Sequence, residues 1–202
     1  MTEIIVAISL GICLSAACGL RVFLPFLIAS IAAKCGLIEL KDSFHWIASW
    51  PALIAFATAT IAEVTAFYVP WLDNVLDSIA TPAAGIAGTI ITVSVMPSDS
   101  STLLSWALGI ICGGGAATAV QMTTVAARAT STLTTGGLAN PIVSTMELAG
   151  ASIISMLAVF IPVVIVGFVL LIIVLGIFYI SQRRIGIFRK QKSASTHSRR
   201  MS

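Results

Sequence analysis

The chain has 202 residues, 58% of them hydrophobic and only 9% charged, with a mean hydropathy of +1.06. A soluble domain carries about a quarter charged residues, so this composition excludes one and points to a single all-α polytopic membrane domain with no room for a soluble module. Seven of the 11 Lys and Arg follow Ser181 and all eight acids precede it, leaving residues 1–181 at −4 and the remainder at +7; no folded basic surface is evident, so no nucleic-acid partner is expected.

In chain order, the first apolar block is 4–38, too long for one untilted crossing of about 20 residues. Near its middle stands 15-SAACGLRVFLP-25. Ser15-Ala16-Ala17 before Cys18 resemble a lipoprotein cleavage site, but the opening Met-Thr-Glu lacks a positive stretch, so the segment is expected to stay in the mature chain. Gly19 suits a helix end and Pro25 a helix start or kink. The block is therefore expected to be broken or re-entrant. A polar loop, 39-ELKDSFH-45, follows, then a second block over 47–69 ending in 67-FYVPW-71, whose Tyr68 and Trp71 suit a membrane interface.

After 72-LDNVLDS-78, read as a loop or an exposed helix start, a third block covers 80–96 and closes at 97-PSDSS-101. A fourth spans 103–127, and 128-RATSTLTTGGLANP-141 reads as a polar loop. A fifth covers 142–161, punctuated by Pro162, and a sixth 163–180. The expectation is about six transmembrane helices in a domain of residues 1–181, followed by a basic, disordered tail of 182–202. Juxtamembrane Lys and Arg favour the cytoplasmic side, which puts the tail, 70–78 and 128–141 inside and 34–46 and 97–102 outside. Lys34 and Lys41 run against that rule, though Glu39 and Asp42 accompany them.

Gly11, Ser15 and Gly19 recur every four residues, as do Gly109, Gly113 and Ala117. Stripes of this kind let helices approach closely, and dimerisation through them would suit a compact carrier. Each stripe-bearing block is followed by a loop and an X-Pro helix start, Trp50-Pro51 and Asn140-Pro141. That repetition is consistent with a 3+3 inverted repeat, an arrangement used by many transporters; chance likeness between Gly- and Ala-rich helices explains it equally well.

Ionisable side chains inside a span are expensive and mark functional candidates. Here they are Arg21, Glu63 and Glu147. Glu63 precedes Val69 by six residues and Glu147 follows Pro141 by six, so at 1.5 Å per residue both fall roughly 9 Å below the cytoplasmic boundary. Arg21 joins them if the first block is broken. Such a group either locks helices together or forms a polar site open to the cytoplasm, lined at its mouth by Asp73, Asn74, Asp77, Arg128 and Asn140. Asp73 and Asp77 also have the spacing to hold a divalent cation, although acids at a helix start look the same. The TSTLTTGG stretch offers hydroxyls and N–H groups to an anion, but lacks the lysine of a P-loop.

Four cysteines without metal spacing and two distant histidines support no metal centre, catalytic residue or cofactor, so no enzyme is expected. The leading expectation is a small transporter or channel-like protein handling a small solute, an ion or an anionic lipid headgroup. A non-transporting scaffold or assembly protein is the alternative, and a metal-dependent enzyme acting on a lipid phosphate through Asp73 and Asp77 comes third.

The segments AACGLRVFLPF, PALIAFATATIAEVTAFYVPWLDNVLDSIATP, GGGAA and TSTLTTGGLANPIVSTMELAGA resemble the bacterial membrane family catalogued as domain of unknown function 4126. The resemblance runs from about Leu10 to Val174. It implies a multi-pass protein of the bacterial inner (plasma) membrane and carries no catalytic or ligand residues to transfer.

Overall fold

The computed structural model describes residues 2–68 and 70–160, with the side chains of 3–68 and 79–160. The chain divides into two compact units, Met1–Ile165 and Val166–Ser202, and every helix described belongs to the first. The described residues are helical without strands: α1 (Thr2–Cys18), α2 (Phe23–Lys34), a 3-10 turn (Asp42–Ala48), α3 (Trp50–Ala66), α4 (Pro70–Ser94), α5 (Thr102–Leu108), a π-turn (Gly109–Gly114), α6 (Gly115–Thr135) and α7 (Asn140–Phe160). The expected sixth span (163–180), Pro162 and the basic tail lie outside the described residues.

The first block is broken where its sequence changes character. The α1 ladder ends as the Gly19 N–H donates to the Ser15 and Ala16 carbonyls (3.2 and 3.1 Å) and the Arg21 N–H to the Ala17 carbonyl (3.0 Å). Four residues later the chain runs back as α2, with Pro25 in its first turn, where a missing N–H is harmless. Glu3 near the start of α1, Leu37–Leu40 after α2 and Val95–Ser98 after α4 all line one cavity of about 430 Å³. The start of α1 and the exit of α2 therefore share one end, and 19–22 forms the turn of a hairpin.

At that shared end the two lysines that oppose the positive-inside pattern are engaged. The Lys41 ammonium donates to the Ser100 carbonyl (3.0 Å) and the Ser105 hydroxyl (2.9 Å). Lys34 donates to the Ala48 carbonyl (3.1 Å) and lies 4.0 Å from the centroid of the Trp50 ring. The Ser49 hydroxyl accepts from the Ala52 N–H and starts α3, with Pro51 at its first positions. The 3-10 turn and α3 meet at 62°.

Thr102–Thr135, running through the π-turn, and Asn140–Phe160 are each long and apolar enough to cross a membrane. The bent pair of the 3-10 turn and α3 makes a third if it is one span. Residues 72–78 take the helix-start reading rather than the loop, and most of the loop expected at 128–141 is helical instead. Residues 72–78 belong to α4, which starts at Pro70 and carries Pro82 inside it; Pro, Asp and Asn all suit a first turn, so polar composition there marks a helix start. Residues 128–135 belong to α6, where the hydroxyls of Thr130, Thr134 and Thr135 bond back to carbonyls four residues earlier, a contact a helix tolerates. Only Gly136–Ala139 turns, with Gly136 and Gly137 at φ of 64° and 87°.

Both small-residue stripes pack on α4, except for Gly19, which packs on α6. The Ser15 hydroxyl donates to the Gly88 carbonyl (2.7 Å). A Cβ at Gly11 would lie 2.9 Å from the Thr92 methyl, and one at Gly113 would collide with the Thr92 hydroxyl and the Gly88 carbonyl. Gly109 faces Val93 and Thr89, Gly19 faces Ala117 and Val120, and Ala117 is fully buried. The stripes thus join α1, α4, the π-turn and α6 of one chain.

Candidate functional site

At the hairpin turn, charged side chains from distant parts of the sequence converge. Arg21 follows α1, Glu63 lies near the end of α3, Arg128 is on α6 and Glu147 on α7. The pairing of Arg128 with Glu147 follows from local geometry. Each lies eight residues from the Gly136–Ala139 turn, and antiparallel helices joined by a short turn bring such positions to the same level. The Arg128 Nε donates to one Glu147 oxygen (3.0 Å) and its Nη2 contacts the other.

Arg21 reaches the same carboxylate. Its Nη2 lies 3.4 Å from Glu147 Oε2 and donates to the Ser144 carbonyl (2.9 Å). The Arg128 Nη2 also contacts the Ser144 hydroxyl (3.3 Å). Both guanidinium carbons sit 4.2 Å from the centroid of the Phe67 ring, a cation–π arrangement that strengthens on desolvation. Arg21 is 1% exposed, Arg128 3% and Glu147 5%. The Arg21 Nε and Nη1 have no acceptor among the described residues.

Glu63, expected beside Arg21, has a different partner. Its Oε1 accepts from the Val22 N–H (2.7 Å) and its Oε2 from the Phe23 N–H (3.1 Å). It closes the open N-terminus of α2, where the first N–H groups lack intrahelical partners. Arg21 and Cys18 are within its electrostatic reach.

Of the residues expected at the mouth, Arg128 belongs to the buried core of the cluster. Asn140 is buried at the start of α7, where its amide donates to the Thr132 hydroxyl (3.2 Å). The side chains of Asp73, Asn74 and Asp77 lie outside the described residues. In the TSTLTTGG stretch the hydroxyls of Thr130, Thr134 and Thr135 bond back within α6, that of Thr132 accepts from Asn140, and that of Ser131 is buried with no partner among the described residues. Among the described residues no three His, Cys, Asp or Glu gather as metal ligands would.

Sequence reasoning missed Phe67, Ser144 and the Val22 and Phe23 N–H groups. Ser144 was findable, since it stands three residues before Glu147 on the same helix face. Phe67 was not, because nothing in FYVPW separates a ring under two guanidiniums from one at an interface.

Residues 8–182 match the model of the family described as domain of unknown function (DUF4126). The chain belongs to that family. The match covers every residue of the cluster in this DUF4126 member and extends the 10–174 resemblance at both ends. No curated protein and no solved structure matches the chain. Its apolar helices are compatible with a membrane protein.

Proposed function

We propose that this chain is a multi-pass protein of the bacterial inner membrane that binds and moves a small anionic solute, with Arg21, Arg128 and Glu147 at its binding site. On this reading the six apolar blocks are six membrane segments, the first a hairpin, and the basic tail lies in the cytoplasm with the Gly136–Ala139 turn. An inverted repeat is part of the proposal. It is supported by the break at 19–22, the π-turn in the matching block, and the helix starts at Trp50-Pro51 and Asn140-Pro141.

The observation that carries the reading is Arg21. A charge placed there only to lock helices would be expected to use its donors, since an unsatisfied buried polar group costs about 1–3 kcal/mol, and more when charged. Arg21 instead spends one nitrogen on α7 and keeps two without an acceptor. A broken helix whose N-terminus faces the same place is a recurring way to receive an anionic group.

A flux screen in proteoliposomes tests it, comparing carboxylates, phosphate and monovalent cations for the wild type, Glu147→Gln and Arg21→Lys. The expected result is a wild-type anion flux that falls at least about tenfold, or 1.4 kcal/mol, in both folded variants. No wild-type flux, or flux unchanged in both, would overturn it. A second reading, a scaffold with purely structural charges, is favoured by the burial of Arg128 and Glu147; it expects no flux from any form and partner proteins retained through purification. An enzyme acting through Asp73 and Asp77 has no described geometry in its favour.

A further inference from the structure

Resting on the carrier reading, we infer that the end of α3, from Glu63 to Tyr68, is the gate of the charged cluster, with Phe67 as the ring that shuts it. The helix is held unequally at its two ends. Towards its start the contacts are apolar or buried. The Phe56 ring lies 5.3 Å from Phe26 and 6.2 Å from Trp46 between centroids, and the buried Ser30 hydroxyl donates to the Ile47 carbonyl (2.7 Å) in the preceding 3-10 turn. Along its length α3 packs on α2 and that turn, and only its Ala52 and Thr60 are buried. Ile54 and Ile61 are exposed. The 62° bend at the start of α3 supplies a pivot, since hinges commonly sit at the ends of elements.

The last turn holds on by contacts of another kind. Glu63 accepts from the Val22 and Phe23 N–H groups, the Phe67 ring lies 4.2 Å from both guanidinium carbons, and the Tyr68 hydroxyl is 3.0 Å from that of Thr145. Three neighbouring side chains thus tie the end of α3 to α2, to both arginines and to α7. Phe67 is 7% exposed, and its withdrawal uncovers both guanidiniums at once. Every tie can be released without stranding a charge. Arg21 and Arg128 keep Glu147. The half-buried Glu63 carboxylate is free to hydrate. The bonds at the Phe23 N–H and the Tyr68 hydroxyl are exposed, so water takes the place of either partner. A lock built for stability alone would bury its ties, because exposed ones exchange with water at little net cost.

The test is the reactivity of Arg21 and Arg128 toward phenylglyoxal in the full chain in lipid nanodiscs, read by peptide mass mapping. A Tyr68→Cys and Thr145→Cys pair, in a background with Cys35→Ser and Cys112→Ser, is bridged by a short bis-thiosulfonate that a reductant removes. The wild type should be modified slowly at both arginines. The bridge should slow modification at least about tenfold, and reduction should restore it. A contact that serves packing alone would give the same rate bridged and unbridged. Phe67→Leu, which keeps an apolar side chain but no ring, should speed modification of both arginines about tenfold. Tyr68→Phe releases only the exposed tie and should speed it about fivefold; it also serves if Phe67→Leu does not fold. Equal rates with and without the bridge, or arginines that never react in the wild type, overturn the gate. Flux that persists through the bridge would sink the gate and spare the carrier. Bridge-dependent reactivity without any flux would do the reverse.

Discussion

Glu147 answers two guanidiniums at once, with Arg128 on both its oxygens and Arg21 3.4 Å from one of them. Removing it takes away the counter-charge they share, whereas removing one arginine leaves the carboxylate another. Breaking a buried pair from one side costs about 3–5 kcal/mol. Glu147→Gln should therefore lower the unfolding midpoint in detergent more than Arg21→Gln or Arg128→Gln; the reverse order would mean that the arginines have little stake in Glu147. Glu63 acts through the backbone. Glu63→Ala should lower stability by about 1 kcal/mol, the usual loss for a helix cap, and speed hydrogen exchange at the Val22 and Phe23 amides. Unchanged exchange there would contradict the capping role. The three charges inside apolar runs stood out in the sequence because lipid makes them costly. Their partners did not, since which carboxylate meets Arg21 depends on how α2 folds back.

At the scale of the helix, α4 runs against α1, the π-turn and α6 with glycine at the closest approaches. A Cβ at Gly88 would lie 2.6 Å from Ala117 Cβ and 2.8 Å from the Gly113 carbonyl, while one at Gly115 meets nothing within 4 Å. Gly88→Val should thus destabilise by the 1–3 kcal/mol or so typical of overpacking, and Gly115→Ala should be neutral or raise the melting temperature through its helix propensity. Equal effects from the two would refute the close approach. The stripes were legible as four-residue spacing, but not the helix that receives them, because GxxxG marks a close contact without naming the partner. The polar run at 128–135 misled, and that at 72–78 left loop and helix start open, for a related reason. Asp, Asn and Thr are as much at home on a helix start or an exposed helix face as in a loop.

For the molecule as a whole, the hairpin places Glu3 with Ser98, and the length of Thr102–Thr135 carries Leu138 to the far end. In sealed vesicles, single cysteines at Glu3 and Ser98 should react with an impermeant thiol reagent from one side and a cysteine at Leu138 from the other. Opposite labelling of Glu3 and Ser98 would show that the first block crosses once. The break was readable in GLRVFLP; the return of the chain to its starting end was settled only by packing.

Cys18 probes the cluster most directly. It is the last residue of α1, fully buried and within electrostatic reach of Glu63, while Cys35 is exposed and serves as a control. A carrier must open this place to water, so a small thiol reagent applied to the native chain in proteoliposomes should modify Cys18 slowly and Cys35 fast, with peptide mass mapping as readout. Added carboxylate solute should slow the modification of Cys18 alone. Cys18 that stays unmodified while Cys35 reacts to completion, with or without solute, would show a sealed structural lock and contradict a binding site there.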